Sequence, residues 1–206
     1  MGWRVILTQG FKSTAMAEWH KLQGRNWPEH LAVDVVIGTP EYSQWATYGA
    51  QIVCPFPEAK MINREVGGDP GSQKGGRFQI SYTPPGQTAE IIMGGVHCSE
   101  IIDKETFKEG EVVAYIGNNG YVNPPPTPAE AYAGGHLHLS YTLREPGQNG
   151  IPHDPLEIFN IYEPFRGKDS GFEKDITPIA WAMGWSKEKI NEILNMVKKA
   201  MSTGGT

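Results

Sequence analysis

Two histidines separated by a single residue begin a segment of alternating character in the second half of the chain. Residues 134–143 read GGHLHLSYTL. Alternate side chains of a β-strand share a face, so His136 and His138 are predicted to lie side by side, with the intervening leucines facing the core. Two neutral imidazoles placed in this way can bind one metal ion, or can divide metal binding and acid–base work between them. The same pattern also occurs on an ordinary polar strand face.

A single carboxylate interrupts an apolar segment earlier in the chain. Residues 30–37 read HLAVDVVI, a β-branched run that predicts a buried strand ended by Gly-Thr-Pro. Asp34 is the only charged residue between Leu31 and Ile37. A buried carboxylate is costly unless it is paired or bound to a metal. Asp34 and His30, four residues before it, are therefore candidate metal ligands.

A third histidine, His97, follows Gly94-Gly95-Val96. It is predicted to lie at the end of a strand, where the small residues leave the backbone open to close approach. An exposed histidine at a strand end is the alternative interpretation.

In this order the motifs resemble those of the M23 peptidases, the lysostaphin/LytM-type zinc endopeptidases. His30-x-x-x-Asp34 resembles the first metal motif of that family, His97 stands where the family has a histidine after a short strand, and His136-x-His138 resembles its final motif. Residues 108–120, punctuated by glycine, and Asp154-Pro155 also resemble family segments. The resemblance covers residues 7–159.

The sequence departs from the family pattern at several positions. Ala32 stands where the family usually has glycine, Gly135 rather than proline precedes His136, and Ser140 follows where glutamate is common. The loop over residues 121–135 is long, and an insertion follows Pro40. None of these departures falls on a ligand position, so they bear on substrate specificity more than on catalysis.

The resemblance implies a function and a set of roles. His30, Asp34 and His138 are expected to bind Zn²⁺, with His136 as general base and His97 donating to the oxyanion or orienting the water. The implied reaction is hydrolysis of peptide cross-links in bacterial peptidoglycan, at the cell wall. We further expect Tyr121 and Tyr132, which flank a proline-rich loop, to line the substrate groove.

The elements that must position these residues are mostly short strands. Together 25 glycines and 16 prolines favour strands joined by turns over a helical protein. The resemblance implies an antiparallel sheet core of the duplicated hybrid motif type. We expect a peptidase domain over residues 1–165 and a helical extension over residues 166–206. The extension carries an apolar stripe that is predicted to pack on the body, or alternatively to bind a partner.

The composition of the chain bears on nucleic-acid binding, membrane insertion, secretion and disulfide formation. A net charge of −5 without a basic stripe disfavours nucleic-acid binding. No apolar segment is long enough to cross a bilayer. No signal peptide is evident, which is compatible with a phage lysin or with removal of a leader. The two cysteines, Cys54 and Cys98, either form one disulfide or stay reduced.

Two further functions are compatible with the same fold. One is a catalytically silent module that binds or regulates, which would be expected to lack metal ligands. The other is a virion-associated protein that uses the domain to penetrate the wall.

Overall fold

The computed structural model describes residues 4–9, 11–12, 21, 30–38, 47–67, 75–120, 122 and 126–159, and these form a ten-stranded antiparallel sheet. The strands are β1 (Arg4–Gln9), β2 (Val33–Gly38), β3 (Gln51–Val53), β4 (Glu58–Glu65), β5 (Gly76–Tyr82), β6 (Glu90–Ile101), β7 (Thr106–Lys108), β8 (Val112–Ile116), β9 (Leu137–Arg144) and β10 (Ile151–His153). The prediction of a mainly antiparallel β protein is confirmed.

The sheet places the motif-bearing strands next to one another. Its main path runs β1-β2-β9-β6-β5-β4-β7, while β10 pairs with β9, and β8 pairs with both β3 and β6. β9, which carries His138, therefore lies between β2, which carries Asp34, and β6, which carries His97. Strands that are distant in the sequence meet at one point of the sheet.

The core consists of the apolar side chains that alternate along these strands. Phe78, Ile80, Phe107, Val33 and Val113 are at most 1% exposed and belong to one continuous cluster. Burial of this apolar area is the main force that holds the strands in register. The rigid sheet that results is what fixes the backbone of the histidine-bearing strands.

Both cysteines lie in this core as free thiols. Burial raises the pKa of Cys98 to about 12, so the thiol is protonated at neutral pH. It is therefore unsuited to act as a nucleophile, although it follows His97 directly.

The predicted segments differ from the observed strands in three places. β2 begins at Val33, so His30 precedes the strand and is not part of it. β6 continues through His97 to Ile101, so the prediction that His97 lies at the end of a strand was wrong. The short strands β7 and β10 escaped prediction because three residues carry too little alternation to be recognised.

The described part of the chain closes with one turn of 3₁₀ helix, Pro155–Glu157. The Asp154 side chain caps it by accepting from the Leu156 backbone N–H at 3.0 Å. The predicted helical extension over residues 166–206 lies outside the described residues. Within the described ranges, no helix has the length and apolar character that a membrane crossing needs.

Candidate metal centre

Strand register brings the first two candidate ligands together. In the antiparallel pair of β2 and β9, Asp34 stands directly opposite His138. Residues directly opposite each other in such a pair share a face of the sheet and lie in side-chain contact. His138 Nδ1 is accordingly 3.0 Å from Asp34 Oδ1, although the two residues are 104 apart in sequence.

His30 reaches the same point from the loop that leads into β2. Its backbone carbonyl accepts from the Lys12 N–H at 2.8 Å, which ties this loop to the chain after β1. Its Nε2 lies 3.1 Å from His138 Nδ1 and 3.5 Å from Asp34 Oδ1. Three potential ligand atoms thus form a small triangle where the first residues of β2 and β9 pair.

The dimensions of this triangle fit one zinc ion. Ligands bound tetrahedrally at about 2.0–2.1 Å lie about 3.3 Å from one another. The three observed separations, 3.0, 3.1 and 3.5 Å, bracket that value. Two imidazole nitrogens and one carboxylate oxygen are also ligand types that zinc accepts. His30, Asp34 and His138 could therefore hold a zinc ion without rearrangement of the strands.

The Asp34 carboxylate is strongly favoured in its charged form. Burial alone raises the pKa of Asp34, but the attraction of His136 in its protonated form and the hydrogen bonds with His138 and His30 outweigh burial. The net result holds the pKa of Asp34 well below its ordinary value. The centre therefore offers a permanent negative charge to a cation at neutral pH.

A backbone irregularity brings His97 to the same face. Val96 pairs with His138 across β6 and β9, so simple alternation would turn His97 away from the site. At His97 the backbone instead adopts φ +69°. The partner of β6 also changes here, from β9 up to Val96 to β8 from Cys98 onward. This bulge re-aims the ring, whose centroid lies 4.5 Å from that of His136 and 6.2 Å from that of His138.

The protonation of His97 is set by its surroundings. Burial lowers the pKa of His97 to about 4, with a further contribution from His136, and the hydrogen bond to Asn119 opposes the shift only in part. Nδ1 lies 2.7 Å from the Asn119 carbonyl oxygen. A carbonyl can only accept, so Nδ1 carries the hydrogen and Nε2 of the neutral ring carries a lone pair.

The ring of His136, like that of His97, is held by a hydrogen bond from Nδ1 to a backbone carbonyl. Its Nδ1 lies 2.8 Å from the Gly134 carbonyl oxygen, so the hydrogen of the neutral ring is on Nδ1. Its Nε2 is then free of hydrogen and lies 3.8 Å from Asp34 Oδ1. The unprotonated nitrogen of the neutral His136 ring therefore lies close to a candidate metal ligand.

Exposure increases across the centre from one side to the other. The His30 side chain is 8% exposed, Asp34 15%, His136 16% and His138 31%. The triangle is thus rooted in the protein at His30 and opens to solvent beside His136 and His138. A ligand from solution can approach on that side.

Solved structures similar to this chain include a zinc-containing peptidase and an M23 protein. A zinc-containing peptidase from Vibrio cholerae is 18% identical with a TM-score of 0.47, and the match covers 78% of this chain and 38% of that one. LytU is 21% identical with a TM-score of 0.44, covering 75% of this chain and 83% of the other.

The catalytic domain of the prophage-encoded M23 protein EnpA from Enterococcus faecalis, studied as a variant, is 16% identical with a TM-score of 0.40, covering 78% and 95%. EnpA is named as an M23 protein, the family that the sequence motifs resemble. The chain spans little more than a third of the length of the Vibrio cholerae peptidase. No protein-family model matches the chain, and no curated protein matches it.

The remaining predicted site residues are two tyrosines, Tyr121 and Tyr132. Tyr132 lies in the loop that leads to His136, is 66% exposed, and has its ring centroid 4.6 Å from that of Tyr48. Tyr121 lies outside the described residues. His153 contacts Tyr141 and Glu157, with ring centroids 5.7 Å apart in the first case. His153 was not predicted to belong to the site, and it interacts with these two residues.

Two asparagines that were not predicted from the sequence lie next to the centre. Asn118 and Asn119 are 0% and 1% exposed and follow β8 directly. An Asn-Asn-Gly segment after a strand is the ordinary signature of a turn, so nothing in the sequence distinguishes it. Their role emerges only from the contacts that they make.

Proposed function

We propose that this chain is a zinc-dependent endopeptidase that hydrolyses peptide cross-links of bacterial peptidoglycan. The observation that carries this proposal is the triangle of His30 Nε2, Asp34 Oδ1 and His138 Nδ1, with separations of 3.0–3.5 Å, beside two further histidines. The peptidoglycan substrate is inferred from the ordered motif resemblance in the sequence.

His30, Asp34 and His138 are the proposed zinc ligands. Three protein ligands leave a fourth position open, which is typical of a catalytic zinc and not of a closed structural one. A zinc ion bound there would act as a Lewis acid toward a peptide carbonyl and would lower the pKa of a water molecule. The open side of the centre, toward His138 and His136, is the side from which a peptide would approach.

His136 is the proposed general base. Its Nδ1–H is engaged by Gly134, so its Nε2 can accept the proton of the attacking water. After the proton moves to Nε2, the ring is cationic and lies beside the Asp34 carboxylate, which stabilises that charge. The same Nε2–H can then be delivered to the leaving amine.

His97 is proposed to orient the water by accepting a hydrogen bond at Nε2. Donation from Nε2 to an oxyanion would require a protonated ring, because Nδ1 already carries the hydrogen of the neutral form. Burial disfavours that charged form. Of the two roles expected for His97, orientation of the water is therefore the better supported.

Tyr132, in the loop that precedes His136, is proposed to belong to the substrate-facing surface, and its ring is exposed. Its packing against Tyr48 fixes the ring, so we propose that it contacts the peptide next to the scissile bond. The proposed site of action is the bacterial cell wall, with a phage lysin as one setting. A silent binding module is the weaker alternative, since all three ligand side chains and both additional histidines are present and close together.

Metal content and hydrolysis test the proposal together. The wild-type chain should bind one zinc ion per molecule, and His30→Ala and His138→Ala should lose it. Purified sacculi of several wall chemotypes should release peptides, identified by mass spectrometry, only with the zinc-loaded wild type. A wild type that binds no zinc, or that binds zinc and releases nothing from any chemotype, contradicts the proposed peptidase.

A further inference from the structure

Asn118 occupies an unusual position for a carboxamide. It follows β8 and Gly117, and it is completely buried. Its Nδ2 group donates to two carbonyl oxygens, those of Ala131 and Ala133, each at 2.9 Å. Both partners are acceptors, so the orientation of the amide is fixed by its bonds.

The two carbonyls belong to the loop that leads into β9. Ala133 is followed by Gly134, whose carbonyl accepts the Nδ1–H of His136 at 2.8 Å. The Asn118–Ala133 hydrogen bond, the peptide link between Ala133 and Gly134, and the Gly134–His136 hydrogen bond therefore connect Asn118 to the imidazole of His136. The loop itself is shaped by turns, with Ala133 N–H donating to the Glu130 carbonyl at 3.1 Å.

The segment over residues 117–119, which includes Asn118, also holds His97. The Gly117 N–H donates to the His97 carbonyl at 2.8 Å, and the Asn119 carbonyl accepts from His97 Nδ1. The two supports differ in kind, because His97 is held by main-chain atoms of the segment, whereas His136 depends on the Asn118 side chain. Substitution of Asn118 can therefore affect one histidine and spare the other.

We infer that Asn118 is a positioning residue that sets the orientation of His136 by fixing the loop over residues 131–135. Its catalytic meaning rests on the proposed function, in which His136 is the base. The hydrogen bonding of His136 does not depend on that function and can be observed directly. A base displaced by about 1 Å from its productive position can cost about 100-fold in rate.

A purely structural role for Asn118 makes a different prediction. Loss of two buried hydrogen bonds would then lower stability and leave turnover by the folded fraction unchanged. A positioning role predicts a fall in kcat of about 10- to 100-fold in folded protein, with zinc content and KM little changed. The imidazole Nδ1–H signals of His136 and His97 in proton–nitrogen NMR spectra supply the independent readout.

The experiment compares Asn118→Ala with Asn119→Ala in the full zinc-loaded chain. Asn119 is a matched control, because its carboxamide is also buried and donates to the Cys98 carbonyl at 3.3 Å, and we expect its substitution to leave the Asn118 bonds intact. We expect the exchange-protected Nδ1–H signal of His136 to disappear in Asn118→Ala while that of His97 remains. In Asn119→Ala the His136 signal should persist.

Asn118→Ser serves as a milder variant if Asn118→Ala does not fold, since a hydroxyl retains one donor. Its His136 signal should exchange faster than in the wild type. A His136 signal and a kcat that match the wild type in a folded Asn118 variant would overturn the inference. Loss of the His136 signal in a chain that has no peptidase activity even as wild type would instead refute the proposed function and leave the positioning role standing.

Discussion

At the scale of single residues, the hydrogen bonds of His136 and His97 differ from those of His138, which is one of the proposed zinc ligands. His136 and His97 both give their Nδ1 hydrogen to a backbone carbonyl, which leaves Nε2 as the reactive atom. His138 instead turns Nδ1 toward Asp34. The side-chain environment, and not residue type, therefore assigns the roles that we propose.

Replacement of His136 by alanine should remove the base and spare the metal. We expect kcat for peptide release to fall by roughly 100-fold or more, because a general base contributes on that order. Zinc content measured by metal analysis should stay at the wild-type level. His153→Ala is the matched control, since His153 contacts Glu157 away from the centre. Unchanged release by His136→Ala would contradict the base assignment.

The low pKa of His97 predicts how metal-free protein responds to acid. Its folded-state pKa of about 4 lies below the ordinary 6.5, so protons bind preferentially to the unfolded chain in this window. The titration of His97 therefore lowers the free energy of unfolding by about 2 kcal/mol as the pH falls from 6.5 toward 4. Urea unfolding of chelator-treated protein at pH 7 and pH 4.5 measures the loss.

His97→Asn is the comparison variant for that measurement. Asparagine tolerates the positive φ at this position and does not titrate, so the fold is retained and only the imidazole is removed. The variant should lose less stability between the two pH values than the wild type. Equal losses would show that His97 is not buried in its neutral form.

At the scale of elements, the site depends on the point where β6 changes its partner. The bulge at His97 packs against the segment that begins at Gly117, directly after β8, and the two backbones are in direct contact. A Cβ at Gly117 would lie 2.6 Å from Ser99 N and 2.8 Å from the His97 carbonyl oxygen. Only glycine allows the two segments to approach this closely.

Gly117→Ala should therefore destabilise the fold by about 1–3 kcal/mol, because main-chain atoms must shift to admit the methyl group. Gly94→Ala is a suitable control on the same sheet. Its added Cβ meets the Ser140 Oγ at 2.5 Å, and that hydroxyl can rotate away. Urea denaturation should rank Gly117→Ala as the less stable of the two, and the reverse order would contradict the backbone contact described here.

At the scale of the whole molecule, the proposed zinc ion would join chain segments that are far apart in sequence. His30 and His138 are separated by 108 residues. A ligand that binds only the folded chain stabilises it by mass action, by about 2.7 kcal/mol when its free concentration is 100 times Kd. The metal would thus contribute to stability as well as to chemistry.

Removal of zinc by a chelator should lower the Tm and abolish peptide release, and both should return when zinc is restored. Calorimetry or circular dichroism measures the Tm. Asp34→Asn should keep the shape of the site but weaken zinc binding, so its Tm should respond much less to added zinc. A Tm that responds equally in the wild type and in Asp34→Asn would indicate that zinc binds elsewhere.

The sequence by itself was sufficient for the features that are local. Alternation over residues 136–143 predicted that His136 and His138 share a face, and the glycine and proline content predicted strands. The cost of a charge among apolar residues singled out Asp34. These inferences hold because side-chain direction along a strand follows from backbone geometry alone.

The tertiary structure decided everything that depends on pairing between distant strands. The register of β2 against β9 set Asp34 opposite His138, and the bulge at His97 reversed the direction that alternation would give its ring. The support of His136 by Asn118 likewise spans separate segments. Strand register and a single positive φ are fixed by packing of the whole sheet, so no local pattern in the sequence encodes them.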